Sequence, residues 1–213
     1  MARARAVQER LAARVRVVGG PRRVRLVAGA DVAYREDGRR AWAAVVLWAW
    51  PGGEVVETAT AAGRPTFPYV PGYLTFREGP LLLTAFRRLG RRPDLCLFDG
   101  AGLAHPRRFG LACHMGVVLG LPSIGCAKSL LVGRCGEPRP ARGAWSPIVL
   151  DGTRVGAAVR TRAGVAPLFV SPGHRIGLAA AVRWALACSR YRVPEPIRLA
   201  EQVVNRLRRE DLA

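Results

Sequence analysis

An aspartate interrupts one apolar run of this chain and terminates another, and few folds accommodate that. Arg25-Leu26-Val27-Ala28-Gly29-Ala30-Asp31-Val32-Ala33-Tyr34 reads as a buried strand with Asp31 inside it. Leu95-Cys96-Leu97-Phe98-Asp99 reads as another, delivering its carboxylate to a loop that opens Gly100-Ala101-Gly102. A carboxylate taken out of water is costly unless a cation pairs with it. Two such strands therefore belong in the middle of a sheet, where arginine neutralises the acids or a metal ion is held between them.

The rest of the chain supplies that sheet. Residues 5–15 have helical spacing and end before Gly19-Gly20-Pro21. After the first acid strand, Asp37-Gly38 signals a hairpin, residues 41–50 return, Pro51-Gly52-Gly53 turns, and residues 54–62 give a third strand. A proline-punctuated loop, residues 65–72, leads into an amphipathic helix over 76–89. Strand and helix then alternate: strand 94–99, helix 109–119, strand 122–128, a basic loop 134–143, strands on either side of Asp151-Gly152, a strand ending at Val170-Ser171, and helices over 174–188 and from Pro196 to about Arg209. A meander followed by alternation predicts an α/β fold, an RNase H-like mixed β-sheet flanked by helices, with residues 1–213 as a single domain. Acids at strand ends in such a sheet converge on one edge.

Charge narrows the partners. Lys plus Arg number 34 against 15 Asp plus Glu, a formal net charge of +19. Counterion release makes a polyanion the natural partner of such a surface. All but one of these cations are arginines; the exception is Lys128, the last residue of the strand over 122–128. A compact ammonium on a flexible stem differs from a planar guanidinium, so the lone lysine marks a site that takes an amine. The five cysteines (Cys96, Cys113, Cys126, Cys135, Cys188) form no CxxC pair, which argues against a zinc site and for small core residues in a reducing, cytoplasmic setting. No apolar stretch is long enough to cross a bilayer, and the first residues lack the apolar core of a leader, so no membrane partner is expected.

Glu78, early in the helix over 76–89, is the third acid to single out. Taken alone, Asp31 or Glu78 reads equally as a cap or an arginine partner. Together with Asp99, in a basic chain with only three histidines, they form a hard-oxygen set suited to Mg²⁺, with Mn²⁺ as a substitute.

Six ordered blocks from Val27 to Asn205 give the chain a family likeness: the first acid strand; Pro68-Tyr69-Val70-Pro71-Gly72-Tyr73-Leu74 with Phe76-Arg77-Glu78; Asp99-Gly100-Ala101-Gly102 with His105-Pro106-Arg107 and Gly110-Leu111-Ala112-Cys113-His114; Gly125-Cys126-Ala127-Lys128-Ser129; Ser171-Pro172-Gly173-His174-Arg175-Ile176; and Tyr191-Arg192-Val193-Pro194-Glu195-Pro196. The sequence resembles endonuclease V, a nuclease that acts at deaminated purines, inosine above all. The resemblance implies that Asp31, Glu78 and Asp99 are the metal ligands, that Lys128 lies near the scissile phosphate, and that His174 lies close to the metal and joins them as a catalytic residue. It implies that Pro68, Tyr69, Val70 and Pro71 form a stiff strand wedge, with Tyr69 packed on the core as the competing reading. It implies further that Gly72, Leu74, Gly100, His105 and Gly110 line the pocket for the extruded base. His105 is either a pocket wall or a hydrogen-bonder that holds the loop, and His114 is structural. The expected activity is cleavage of DNA containing deaminated bases at the second phosphodiester bond 3′ to the lesion, leaving 3′-hydroxyl and 5′-phosphate ends. Inosine-containing RNA is the alternative substrate, and a non-catalytic nucleic-acid-binding protein of the same fold the alternative role. A monomer is expected.

Overall fold

The computed structural model describes residues 1–211. β1 (Leu26–Tyr34), β2 (Ala41–Ala49) and β3 (Val55–Gly63) form the expected antiparallel meander. α2 (Leu74–Arg87) then carries the chain back over the sheet, so that β4 (Leu95–Phe98) lies parallel to β1 on its free side. α3 (Leu111–Leu119) makes a second crossover and β5 (Ser123–Ala127) lies parallel to β4. β6 (Trp145–Leu150), β7 (Thr153–Val159) and β8 (Leu168–Pro172) extend the sheet by antiparallel pairing. The resulting eight-stranded order is β3-β2-β1-β4-β5-β8-β7-β6. Its first five strands follow the RNase H-like order, and the acid-bearing β1 and β4 are central neighbours.

Helices cover both faces. Leu82 and Phe86 of α2 and Leu111 and Met115 of α3 pack on Ala28, Ala30, Leu47 and Phe98. On the other face, α4 (Leu178–Ala187) and α5 (Glu195–Glu210) pack on Val27, Leu97, Ile124 and Val170. α1 (Ala2–Ala12) lies against α3. Alternation along β1 therefore sends odd-numbered side chains toward α5 and even-numbered ones toward α2. Gly29 faces α5, and a Cβ there would stand 2.0 Å from the carbonyl carbon of Pro196. That glycine sets how closely the first turn of α5 meets the sheet.

Most element bounds fall within a few residues of the sequence expectation. The exception is the helix expected over 174–188, which begins at Leu178. Main-chain bonds from Gly173 N–H to Ser123 O (2.8 Å), Ser123 N–H to His174 O (2.9 Å) and Arg175 N–H to Arg16 O (2.7 Å) hold residues 173–175 in place. Helical periodicity cannot register these tertiary bonds. None of the described helices is long and apolar enough to cross a membrane, and all five cysteines are free.

Candidate active site

The register of β1 on β4 brings two acids side by side. The last paired residues are Ala30 and Phe98, and Asp99 N–H still reaches Ala30 O at 3.5 Å. Asp31 and Asp99 are the next residues on adjacent parallel strands, both on the α5 side. Just past β5, Lys128 folds back so that its Nζ lies 2.9 Å from Asp99 Oδ2. The same ammonium donates to Glu201 Oε1 at 3.0 Å. Glu201 comes from α5, the helix seated on Gly29. It is a fourth carboxylate that the sequence reading did not single out, since its only signal is its place one and a half turns after the start of α5. Glu78 reaches the group from the opposite layer. It is buried in the second turn of α2 and accepts the Tyr34 hydroxyl proton on Oε1 at 3.2 Å.

The acids perturb one another. Burial, then the charge of Asp99, raises the pKa of Asp31 to about 7. Burial, then the charge of Asp31, raises that of Glu78 to about 8. For Lys128, burial pulls downward, but hydrogen bonds and charge from Asp99 and Glu201 outweigh it and the pKa rises, so the ammonium stays protonated. Among the described residues, no three carboxylate, histidine or cysteine side chains stand close enough as they are to hold a metal ion; the Lys128 ammonium is what bridges Asp99 and Glu201.

Two loops flank this group. Residues 68–71 project between β3 and α2, tied at the base by Arg77 Nη1 donating to Phe67 O at 2.8 Å and by the tilted rings of Phe67, Tyr73 and Phe76. Tyr69 at their tip is 70% exposed, so it is not packed on the core. The expected pocket residues meet in part. Gly72, held at φ +80°, presents its carbonyl to three donors: Gln8 Nε2 at 3.0 Å, His105 Nε2 at 3.0 Å and Arg107 Nη2 at 2.6 Å. His105 Nδ1 accepts from Arg107 N–H at 3.2 Å. With both ring nitrogens engaged, and its pKa lowered to about 4 chiefly by burial, His105 is a neutral strut that holds the loop. Gly100 lies in the loop after β4, Leu74 starts α2 and Gly110 precedes α3. His114 lies inside α3 among Phe76 and Phe109, as a structural residue would.

His174 is the correction. It was expected beside the metal ligands; it lies at the opposite end of β5. Its main chain pairs with Ser123, the first residue of that strand, whereas Lys128 follows the last. Five residues of strand, about 17 Å, separate the two ends. The antiparallel direction of β8 causes this, because that strand runs away from the acid edge before it reaches His174.

With this geometry in view, comparison with known proteins is decisive. A family model of endonuclease V matches residues 9–202. The chain belongs to the endonuclease V family. It is 50% identical over 206 residues to endonuclease V of Roseiflexus sp. strain RS-1, covering 96% of this chain and 92% of that one. Among solved structures it is similar to endonuclease V of Streptomyces avermitilis, with a TM-score of 0.94 and 43% identity over 99% of this chain and 94% of that one. It is also similar to Ciona intestinalis endonuclease V, with a TM-score of 0.87 and 25% identity over 98% and 97% of the two chains. That protein was crystallised with a DNA containing an inosine followed by a ribo-adenosine. The chain is thus a nuclease of the DNA-repair type, with the RNase H-like α/β fold.

Proposed function

We propose that this member of the endonuclease V family recognises deaminated purines, inosine first, in DNA and cleaves the second phosphodiester bond 3′ to the lesion, leaving 3′-hydroxyl and 5′-phosphate ends. The observation that carries the reading is the pairing of Asp31 with Asp99 on adjacent central strands, flanked by Glu78, Glu201 and the chain's lone lysine, in a protein of charge +19. Asp31, Glu78 and Asp99 would hold Mg²⁺, or Mn²⁺ in its place. The donor chemistry fits, because all three offer hard carboxylate oxygens, and burial followed by a neighbouring carboxylate makes two of them hold protons more readily than ordinary acids, a cost that a divalent cation would relieve. A divalent ion held there polarises the phosphoryl group and supplies a nucleophilic water.

The chain's own residues do the rest. Lys128 sets a fixed positive charge beside Asp99, where negative charge grows on the phosphate oxygens in the transition state. Exchange of its partners from carboxylate to phosphate needs only rotation of a flexible, half-exposed side chain. The exposed Tyr69, stiffened by Pro68 and Pro71, can replace the stacking of a base turned out of the helix. His105 and Arg107 act as supports, fixing the Gly72 turn beside which the base would sit. Flanking arginines bind backbone without reading sequence. The protein acts as one domain and a monomer in the cytoplasm.

The test is nicking of a duplex with one central inosine, in Mg²⁺ and in EDTA, beside an adenine control and Asp99→Ala. Nicking 3′ of inosine that needs Mg²⁺ and is lost in the variant is expected. Cleavage in EDTA, or equal cutting of the adenine duplex, would overturn the reading. Competition by an inosine-containing RNA strand, cut faster than the DNA, would instead make this an endoribonuclease.

A further inference from the structure

His174 and Arg175 belong to a cavity of about 380 Å³ at the end of the sheet away from the carboxylates. Its walls include Arg14 and Arg16 from the segment after α1, His174 and Arg175 from the loop after β8, and Val117 and Gly120 at the C-terminal end of α3. No acid lines it. The site is built rather than incidental. His174 N–H donates to Ser123 Oγ at 2.8 Å, and that hydroxyl donates to Ala112 O at 2.7 Å. Arg16 N–H donates to His174 Nδ1 at 3.3 Å, while Arg175 N–H donates to Arg16 O at 2.7 Å. With Nδ1 accepting, the neutral ring carries its proton on Nε2, which has no hydrogen-bond partner among the described residues. Arg175 sits at φ +52°, a strained conformation for a side-chain-bearing residue, of the kind found where a ligand is gripped.

One structural role explains part of this. Arg175 Nη1 donates to Gly120 O at 2.8 Å and so caps the carbonyl end of α3. That role does not reach Arg14 or Arg16, whose guanidinium groups have neither a carboxylate nor a hydrogen-bond acceptor among the described residues. After burial, the charges of Arg175, Arg16 and Arg14 hold the pKa of the buried His174 below its ordinary value. Three like charges converge on one buried imidazole, and an anion would relieve them. Planar guanidinium forks and one imidazole N–H match the oxygens of a phosphate.

We propose that this cavity binds a backbone phosphate of the nucleic acid on the flank of the cleaved site; the inference rests on the nucleic-acid reading above. The length of β5 places that phosphate about 17 Å from Lys128, away from the phosphates next to the cleaved bond.

Binding in EDTA tests it, from 50 to 200 mM salt, with Arg14→Ala/Arg16→Ala and a control of equal charge loss, Arg139→Ala/Arg154→Ala. All four side chains are exposed, and melting curves verify folding. Three inosine duplexes are used: one with long flanks, and two with one flank cut to three base pairs. The expected result is a loss of tenfold or more for the first pair on the long duplex, with the salt slope shallower by about one to two. The deficit should vanish on one of the cut duplexes, and the control pair should stay within twofold of wild type. Equal losses in both pairs, a deficit that ignores flank length, or unchanged binding would overturn the proposal. Inorganic phosphate separates the sources: a shift of the His174 ring resonances on phosphate addition, with undiminished DNA binding by the variant, would assign the cavity to free phosphate and overturn the backbone reading. Wild-type protein that binds no inosine duplex would sink the functional proposal itself.

Discussion

Asp31 and Glu78 keep protons that a solvated carboxylate would have lost. Their pKa values of about 7 and about 8 lie above the ordinary values of 3.8 and 4.5, for want of solvent first, and then because of the charge of Asp99 on Asp31 and of Asp31 on Glu78. Between about pH 4 and pH 8 the folded protein therefore holds protons that the unfolded chain releases. The contribution to stability is full below the unfolded values and is lost as pH rises through the folded ones, at about 1.4 kcal/mol per pH unit for each group that titrates. Thermal melts in EDTA should show wild type falling relative to Asp31→Asn as pH rises over this window. Saturating Mg²⁺ should abolish the difference in slope, and parallel pH profiles without metal would count against the burial argument. Glu201 gives the second expectation. Glu201→Gln keeps the size and a hydrogen-bond acceptor for Lys128 but removes the charge. Turnover should drop by roughly 10–100-fold, the range found when a group that orients a metal site is altered. A change under twofold in kcat and in metal affinity would mean that Glu201 only decorates the rim.

The helix that brings Glu201 to the site depends on a single hydrogen atom of β1. A methyl group at position 29 would collide with the main chain of Pro196 and Ile197, at 2.0 and 2.4 Å. Backbone cannot swing aside as the tip of a side chain can. Gly29→Ala should cost about 3 kcal/mol or more in denaturant melts, and it should reduce cleavage more than the lost stability explains, because α5 carries Glu201 away as it lifts. A variant as stable and as active as wild type would show that α5 is seated elsewhere. α5 was legible as a helix from Pro196 onward, and β1 and β4 from their apolar runs. The bounds of α4 were not, since the three residues before Arg175's successor are fixed by main-chain bonds to Ser123 and Arg16. Local periodicity cannot see a partner fifty or more residues away.

The charge of +19 belongs to the whole molecule. Arginines that grip phosphates do so on any sequence. Raising salt from 50 to 200 mM should therefore weaken binding to inosine and plain duplexes alike, by about 10³-fold or more if six or more phosphates are contacted. The ratio between the two should hold if the proposed reading of the base by neutral groups near Gly72 and Gly100 is right. A ratio that collapses with salt, in filter binding, would place recognition in the charged surface instead. The chemistry of the site was present in the sequence: Asp31 and Asp99 stand out because an acid in an apolar strand needs a cation, and Lys128 because every other cation is arginine. Those are properties of residue type in local context, and a sequence carries them unaided. The arrangement of the site was decided in three dimensions. Glu201 joins because α5 lies on Gly29, and His174 departs because β8 runs antiparallel to β5 and ends at the far side. Which groups share an edge depends on strand direction and helix seating, and both are set by contacts between residues distant in the chain.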